Sequence, residues 1–167
     1  MWDGFIMAER KKSQVRLAKL ITHALPKGER PRVVVWTQTP IPMWGYALLV
    51  VGFLLGGFGV LFAYAAIVLT RKKFVLVLTG TNVFVVRLRK RPFRVVAAYP
   101  HGSVPIADVM PGWLWINFHL QLPDAATPTA LQTGRTSKTE LDYIVAQADP
   151  ALAGVDPWAE ANPANSR

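Results

Sequence analysis

The sequence predicts a membrane-anchored α+β protein. Its expected parts are an antiparallel β-barrel or sandwich of six or seven strands with a C-terminal capping helix, a membrane-embedded helical segment, and an N-terminal amphipathic helix. Three observations carry this expectation. Residues 43–70, MWGYALLVVGFLLGGFGVLFAYAAIVLT, contain no charged residue. An uncharged apolar run longer than ~18 residues reads as bilayer-embedded. Short apolar and β-branched runs recur from Arg32 to Gln132, punctuated by Gly, Pro and Asn, which is the pattern of short antiparallel strands. After the last of them, Ser137 and Glu140 stand at capping-box spacing ahead of Leu141, Ile144, Val145 and Ala148, the mark of an amphipathic helix.

The first element is a helix from Ala8 to Leu25, with Leu17, Leu20, Ile21, Ala24 and Leu25 on one face and Arg10, Lys11, Lys12, Arg16 and Lys19 around it. It lacks the continuous apolar core of a cleavable signal peptide. Lying at a membrane interface and packing on its own domain are both open to it. Arg32–Thr37 is a β-branched strand stopped by Pro40 and Pro42.

The apolar run follows. As one helix it is long for a bilayer unless tilted; as a hairpin it turns at Gly56-Gly57-Phe58-Gly59. Gly45, Gly52, Gly56, Gly59, Ala63 and Ala66 form a small-residue stripe suited to helix packing. Trp44 and Tyr46 suit the membrane interface. Clustered Lys and Arg on both flanks favour the hairpin, with both ends cytoplasmic.

Beyond the run, Lys73–Thr79 and Val83–Arg89 read as strands joined by Gly80-Thr81-Asn82. Phe93–Tyr99 follows the Lys90-Arg91-Pro92 turn, and Val104–Val109 is a weaker strand. Trp113–Gln121 alternates most clearly, with Leu114, Ile116, Phe118 and Leu120 facing one way. A short strand near Thr129–Gln132 precedes the helix, and the Pro, Ala and Asn-rich tail from Ala151 is expected to be disordered. The expected divisions are therefore 1–27, 28–42, 43–70, 71–149 and 150–167.

Composition narrows the chemistry. The 167 residues include no cysteine, which removes disulfides, thiolate metal sites and cysteine nucleophiles. The net charge of +9 is uneven: residues 71–94 hold eight Lys and Arg and no acid, whereas residues 95–167 hold three against seven acids. A basic block beside a membrane segment pairs with anionic lipid heads or simply sets topology. His23, His101 and His119 are dispersed and lack metal-ligand spacing, and no phosphate loop or nucleophile elbow occurs. No metal, cofactor or enzymatic activity is expected, and no recognition motif supports nucleic-acid binding.

Gly28-Glu29 leading into the Val33–Trp36 strand, the stretch Val77-Leu78-Thr79-Gly80-Thr81-Asn82-Val83-Phe84-Val85-Val86, and the capped final helix together resemble the bacterial PH-like domains. Those are small membrane-associated proteins of the pleckstrin-homology superfold, and the resemblance covers roughly residues 29–148. It implies a non-catalytic membrane module that binds anionic lipid or a protein partner as an adaptor. The other class left open is a structural subunit, or a homo-oligomer, of a membrane complex assembled through the Gly/Ala stripe. Strand alternation places Arg71, Lys72, Lys73, Arg87, Arg89, Lys90 and Arg91 on one membrane-facing rim as headgroup ligands. The same count puts Trp113 and Trp115 on that rim at interface depth.

Overall fold

The computed structural model describes residues 14–89 and 92–147. The expected tail, the first turns of the N-terminal helix, and Lys90 and Arg91 lie outside the described residues. In chain order come α1 (residues 14–22), β1 (Val33–Gln38), α2 (Met43–Leu54), α3 (Gly57–Thr70), β2 (Lys73–Leu78) and β3 (Asn82–Arg87). Then follow β4 (Arg94–Pro100), β5 (Ile106–Pro111), β6 (Trp115–Leu120), β7 (Thr129–Gly134), a 3-10 turn (Arg135–Ser137) and α4 (Lys138–Ala146).

The seven strands form one antiparallel sheet in the order β4-β3-β2-β1-β7-β6-β5. It curls into a half-barrel that, with the C-terminal helix, is consistent with a PH-like fold. The curl wraps one core: Val35, Leu76, Val83, Val85, Ile116, Phe118, Leu120 and Leu131 line the inside, and Leu141 and Ile144 of α4 plug it. The edges β4 and β5 share no ladder. Across that gap, Tyr99 of β4 donates its hydroxyl hydrogen to the carbonyl of Gln121, and burial raises the phenol's pKa.

Two kinds of strand reflect two kinds of cover. In β2 and β3 the buried residues run on without alternation, because a second layer covers their outer face. There Ile21 of α1 and Leu25 just beyond it pack against Val34, Val75, Val77, Phe84 and Val86. The amphipathic helix therefore packs on its own domain. Leu20, expected on the packed face, is exposed. By contrast β6 keeps strict alternation, with Ile116, Phe118 and Leu120 inward; an uncovered outer face must be polar or half-exposed. The capping box is not closed: Ser137 makes no side-chain cap bond, and Glu140 instead accepts from the Gln14 amide of α1 at 2.8 Å.

The apolar run brings the main correction. It breaks at Leu55–Gly56 into helices of 12 and 14 residues, α2 and α3, packed side by side. Among the described residues no helix is long and apolar enough to cross a membrane. The membrane-anchored fold class is thereby replaced by an α+β half-barrel that carries an apolar helical hairpin. Gly56, at φ 88°, makes the break; an L side chain is strained there. Phe58 and Gly59, expected in the turn, already belong to α3.

At the end of the sheet away from the hairpin, Thr81 donates its hydroxyl hydrogen to Glu29 at 2.8 Å. Hydrogen bonds from Thr79, then Thr81, hold the Glu29 carboxyl below its ordinary value. A depressed folded-state pKa adds stability that is complete above the unfolded value and is lost as pH falls through the folded one. Glu29→Gln is accordingly expected to flatten the acid limb of the stability–pH curve below pH 4.5, measured by denaturant midpoints. An unchanged limb would show the carboxylate adds nothing there.

Candidate functional site

The hairpin springs from the β1–β2 connection, and its base is held by one residue above all. Thr39 N–H donates to the Lys72 carbonyl at 3.0 Å, prolonging the β1–β2 ladder past Gln38 and Lys73. Arg71 Nε donates to the Thr39 carbonyl at 2.8 Å. The Gln38 amide, turned so that its oxygen faces the guanidinium, accepts from both terminal nitrogens of Arg71 at 3.2 and 3.1 Å. Burial lowers the Arg71 pKa, while Tyr46 and Tyr64 act in the opposite sense. Arg71 is therefore a clamp that seats the hairpin on the sheet. Nothing in the sequence marked Gln38 and Thr39 as its partners, because both are uncharged residues distant along the chain.

Beside the clamp lies a cleft of about 360 Å³, lined by Leu69, Thr70, Arg71, Lys72, Lys73, Arg87, Leu88 and Arg89. The register explains the gathering. Phe74 pairs with Arg87, so the start of β2 and the end of β3 meet at one rim. Among the described residues no carboxylate forms an ion pair with any of these cations; the Lys–carboxylate pair found there is Lys138–Asp142, and His119 Nδ1 lies 3.3 Å from Asp108. Unneutralised cations packed at one rim create a focused positive potential. On the other side of the Arg71–Lys72 ridge, Thr39, Pro40, Ile41, Pro42, Trp44 and Thr129 line a second cleft of about 510 Å³.

Above the rim the hairpin is almost wholly unclothed. Phe53, Leu54, Leu55, Phe58, Phe62 and Leu69 are each at least 75% exposed; Trp44 and Tyr46 stand about half exposed near the base, and Tyr64 is exposed midway along α3. The small-residue stripe faces inward, within the hairpin. A Cβ at Gly52 would lie 2.7 Å from the Gly59 carbonyl oxygen, and one at Gly45 would lie 3.3 Å from the Ile67 side chain. Gly52, Gly45 and Ala63 are buried by the partner arm, which leaves the large apolar side chains outside. Gly56 packs on nothing and serves the turn.

The tryptophan pair is not part of this rim. Gln38 pairs with Gln132, and Thr129 lines the second cleft, so β7 begins at the hairpin end. Its partner β6 therefore ends there at Leu120, opposite Thr129, and Trp115 lies opposite Gly134 at the far end of the strand. Trp113 and Leu114 are exposed at that far end, beside Arg135. The alternation count fails because β4 and β5 occupy opposite edges of the sheet, so the chain between them crosses over instead of turning back.

His23, His101 and His119 stay apart; His119 Nδ1 lies 3.3 Å from Asp108 on the neighbouring edge strand. Among the described residues no group of acids and histidines could hold a metal ion. No protein-family model matches this chain, and no curated protein or solved structure matches it.

Proposed function

We propose that this protein is a non-enzymatic docking module of the bacterial PH-like kind that binds an anionic lipid surface, on the cytoplasmic side of the cell membrane, as an adaptor or accessory protein. One observation carries the reading: an exposed apolar hairpin rises directly from a rim of Lys and Arg that no carboxylate among the described residues pairs with. A lipid surface presents the complementary order, anionic heads outside and hydrocarbon within. Helices of 12 and 14 residues rise about 18 and 21 Å at ~1.5 Å per residue. One leaflet supplies about half of the ~30 Å hydrocarbon core, so the hairpin enters one leaflet without crossing. Trp44 and Tyr46, near the base, then fall at headgroup level, where amphipathic aromatic rings are favoured.

The two attractions divide the work. Fully burying one large apolar side chain contributes about 1.5–3 kcal/mol, so the half-dozen most exposed ones offset most of the cost of immobilising the protein on a surface. The basic rim selects which surface. Full-length protein is expected to co-sediment with phosphatidylglycerol-containing vesicles, less with pure phosphatidylcholine vesicles, and to lose the difference as salt rises and the Debye length falls below ~8 Å. Equal binding to both lipids at every salt concentration, or none from folded protein, would overturn lipid reading and direct attention to a protein that covers the hairpin.

A further inference from the structure

We infer that the hairpin is a wedge for one leaflet, so that the protein favours outwardly curved anionic membrane surfaces over flat ones. This rests on the docking reading above and concerns the shape of the surface that satisfies it. The two arms, about 18 and 21 Å long, cover one leaflet's hydrocarbon together with its headgroup margin and fall well short of the ~30 Å core. Their volume therefore enters one leaflet only. An inclusion confined to one leaflet expands it against the other, and curvature toward the inserted side relieves the mismatch; interfacial insertions are accordingly sensitive to curvature.

The cross-section of the insertion adds to this. Deep in the hairpin, near the turn, the arms touch backbone to backbone: a Cβ at Gly59 would fall 2.5 Å from the Gly52 carbonyl oxygen. Near the base, Gly45 meets the Ile67 side chain instead. At headgroup level Trp44 and Tyr46 project from the base of α2, and the rim of the half-barrel with Lys72, Lys73, Arg87 and Arg89 stands alongside. The two backbones thus lie closest deep in the hydrocarbon, and the half-barrel rim broadens the body among the headgroups, which is the taper that fits outward curvature. It also acts as one piece. Arg71 fixes the hairpin to the Gln38–Thr39 end of β1, and the Thr39–Lys72 backbone bond continues the sheet into the hairpin base.

The test compares small sonicated with large extruded vesicles of one phosphatidylglycerol–phosphatidylcholine composition, using full-length protein at equal accessible lipid. Binding is expected to be several-fold tighter to the small vesicles. The preference is expected to vanish in Phe53→Ser/Phe58→Ser, with binding to both vesicle sizes weakened and the remaining binding to anionic vesicles still falling as salt rises. Both side chains are more than three-quarters exposed, so their replacement leaves the packed core intact, and circular dichroism confirms the fold. Equal affinity for both sizes overturns the wedge and leaves docking standing. A size preference that survives in the double variant assigns the preference elsewhere and overturns the wedge as well. Binding to neither size overturns docking and wedge together.

Discussion

Replacing Lys72, Lys73, Arg87 and Arg89 together by Ser is expected to weaken binding to anionic vesicles by roughly a hundredfold or more, with little change in binding to neutral ones. Each basic residue close to an anionic surface contributes up to about 1 kcal/mol, and four of them a few kcal/mol, which at ~1.4 kcal/mol per decade gives that factor. All four line one cleft, and among the described residues none is in an ion pair. Their removal therefore strands no acid among the described residues, and the fold is expected to persist. Arg71 is left in place deliberately. Its guanidinium holds Thr39 and Gln38, so its replacement would confound loss of charge with loss of the clamp. A quadruple variant that binds anionic vesicles as tightly as the parent would remove the rim from the binding surface.

Gly59→Val is expected to force the hairpin open, lowering the midpoint of thermal unfolding and weakening vesicle binding. A Cβ there would stand 2.5 Å from the Gly52 carbonyl oxygen and 2.9 Å from Leu55 Cβ. The first obstacle is helix backbone and the second is rooted on it, so neither can rotate away. Overpacking of this kind costs about 1–3 kcal/mol, and at ~2–4 °C per kcal/mol for a chain of this size the midpoint falls by several degrees. Gly57→Ala is the control: nothing lies within 4 Å of its Cβ position, and alanine favours the first turn of α3. Equal midpoints for the two variants would show that the arms are not in the backbone contact described.

The strands were legible because their residues announce both face and length. Val33–Gln38, Lys73–Leu78 and Asn82–Arg87 are β-branched runs between turn residues, and β6 alternates with period two. The continuous burial of β2 and β3 also had a sequence counterpart in their unbroken apolar runs, although the cover proved to be α1. The rim was half legible. Lys72, Lys73, Arg87 and Arg89 meet because antiparallel pairing of adjacent strands follows from a two-residue turn. Trp113 and Trp115 were misplaced because the β4–β5 connection joins opposite edges of the sheet, and local pattern carries no information about that crossing.

What the sequence alone determined is what propensity and period control: the strands, the final helix, the apolar character of residues 43–70 and the basic block beside it, whereas the choice between one helix and a hairpin broken at Gly56 came from the structure. Tertiary structure decided which surfaces those elements kept for themselves. The small-residue stripe became an internal contact between α2 and α3, since Gly52 and Gly59 allow two backbones to touch and the larger side chains were left outside. Arg71 became a clamp because the β1–β2 register delivers the Thr39 carbonyl to it. Helix α1 covered the sheet because β2 and β3 offered it an apolar outer face. Periodicity fixes the face of an element that is apolar. Which apolar face meets which depends on the three-dimensional order of the strands, and that order is set by contacts among residues far apart in the chain.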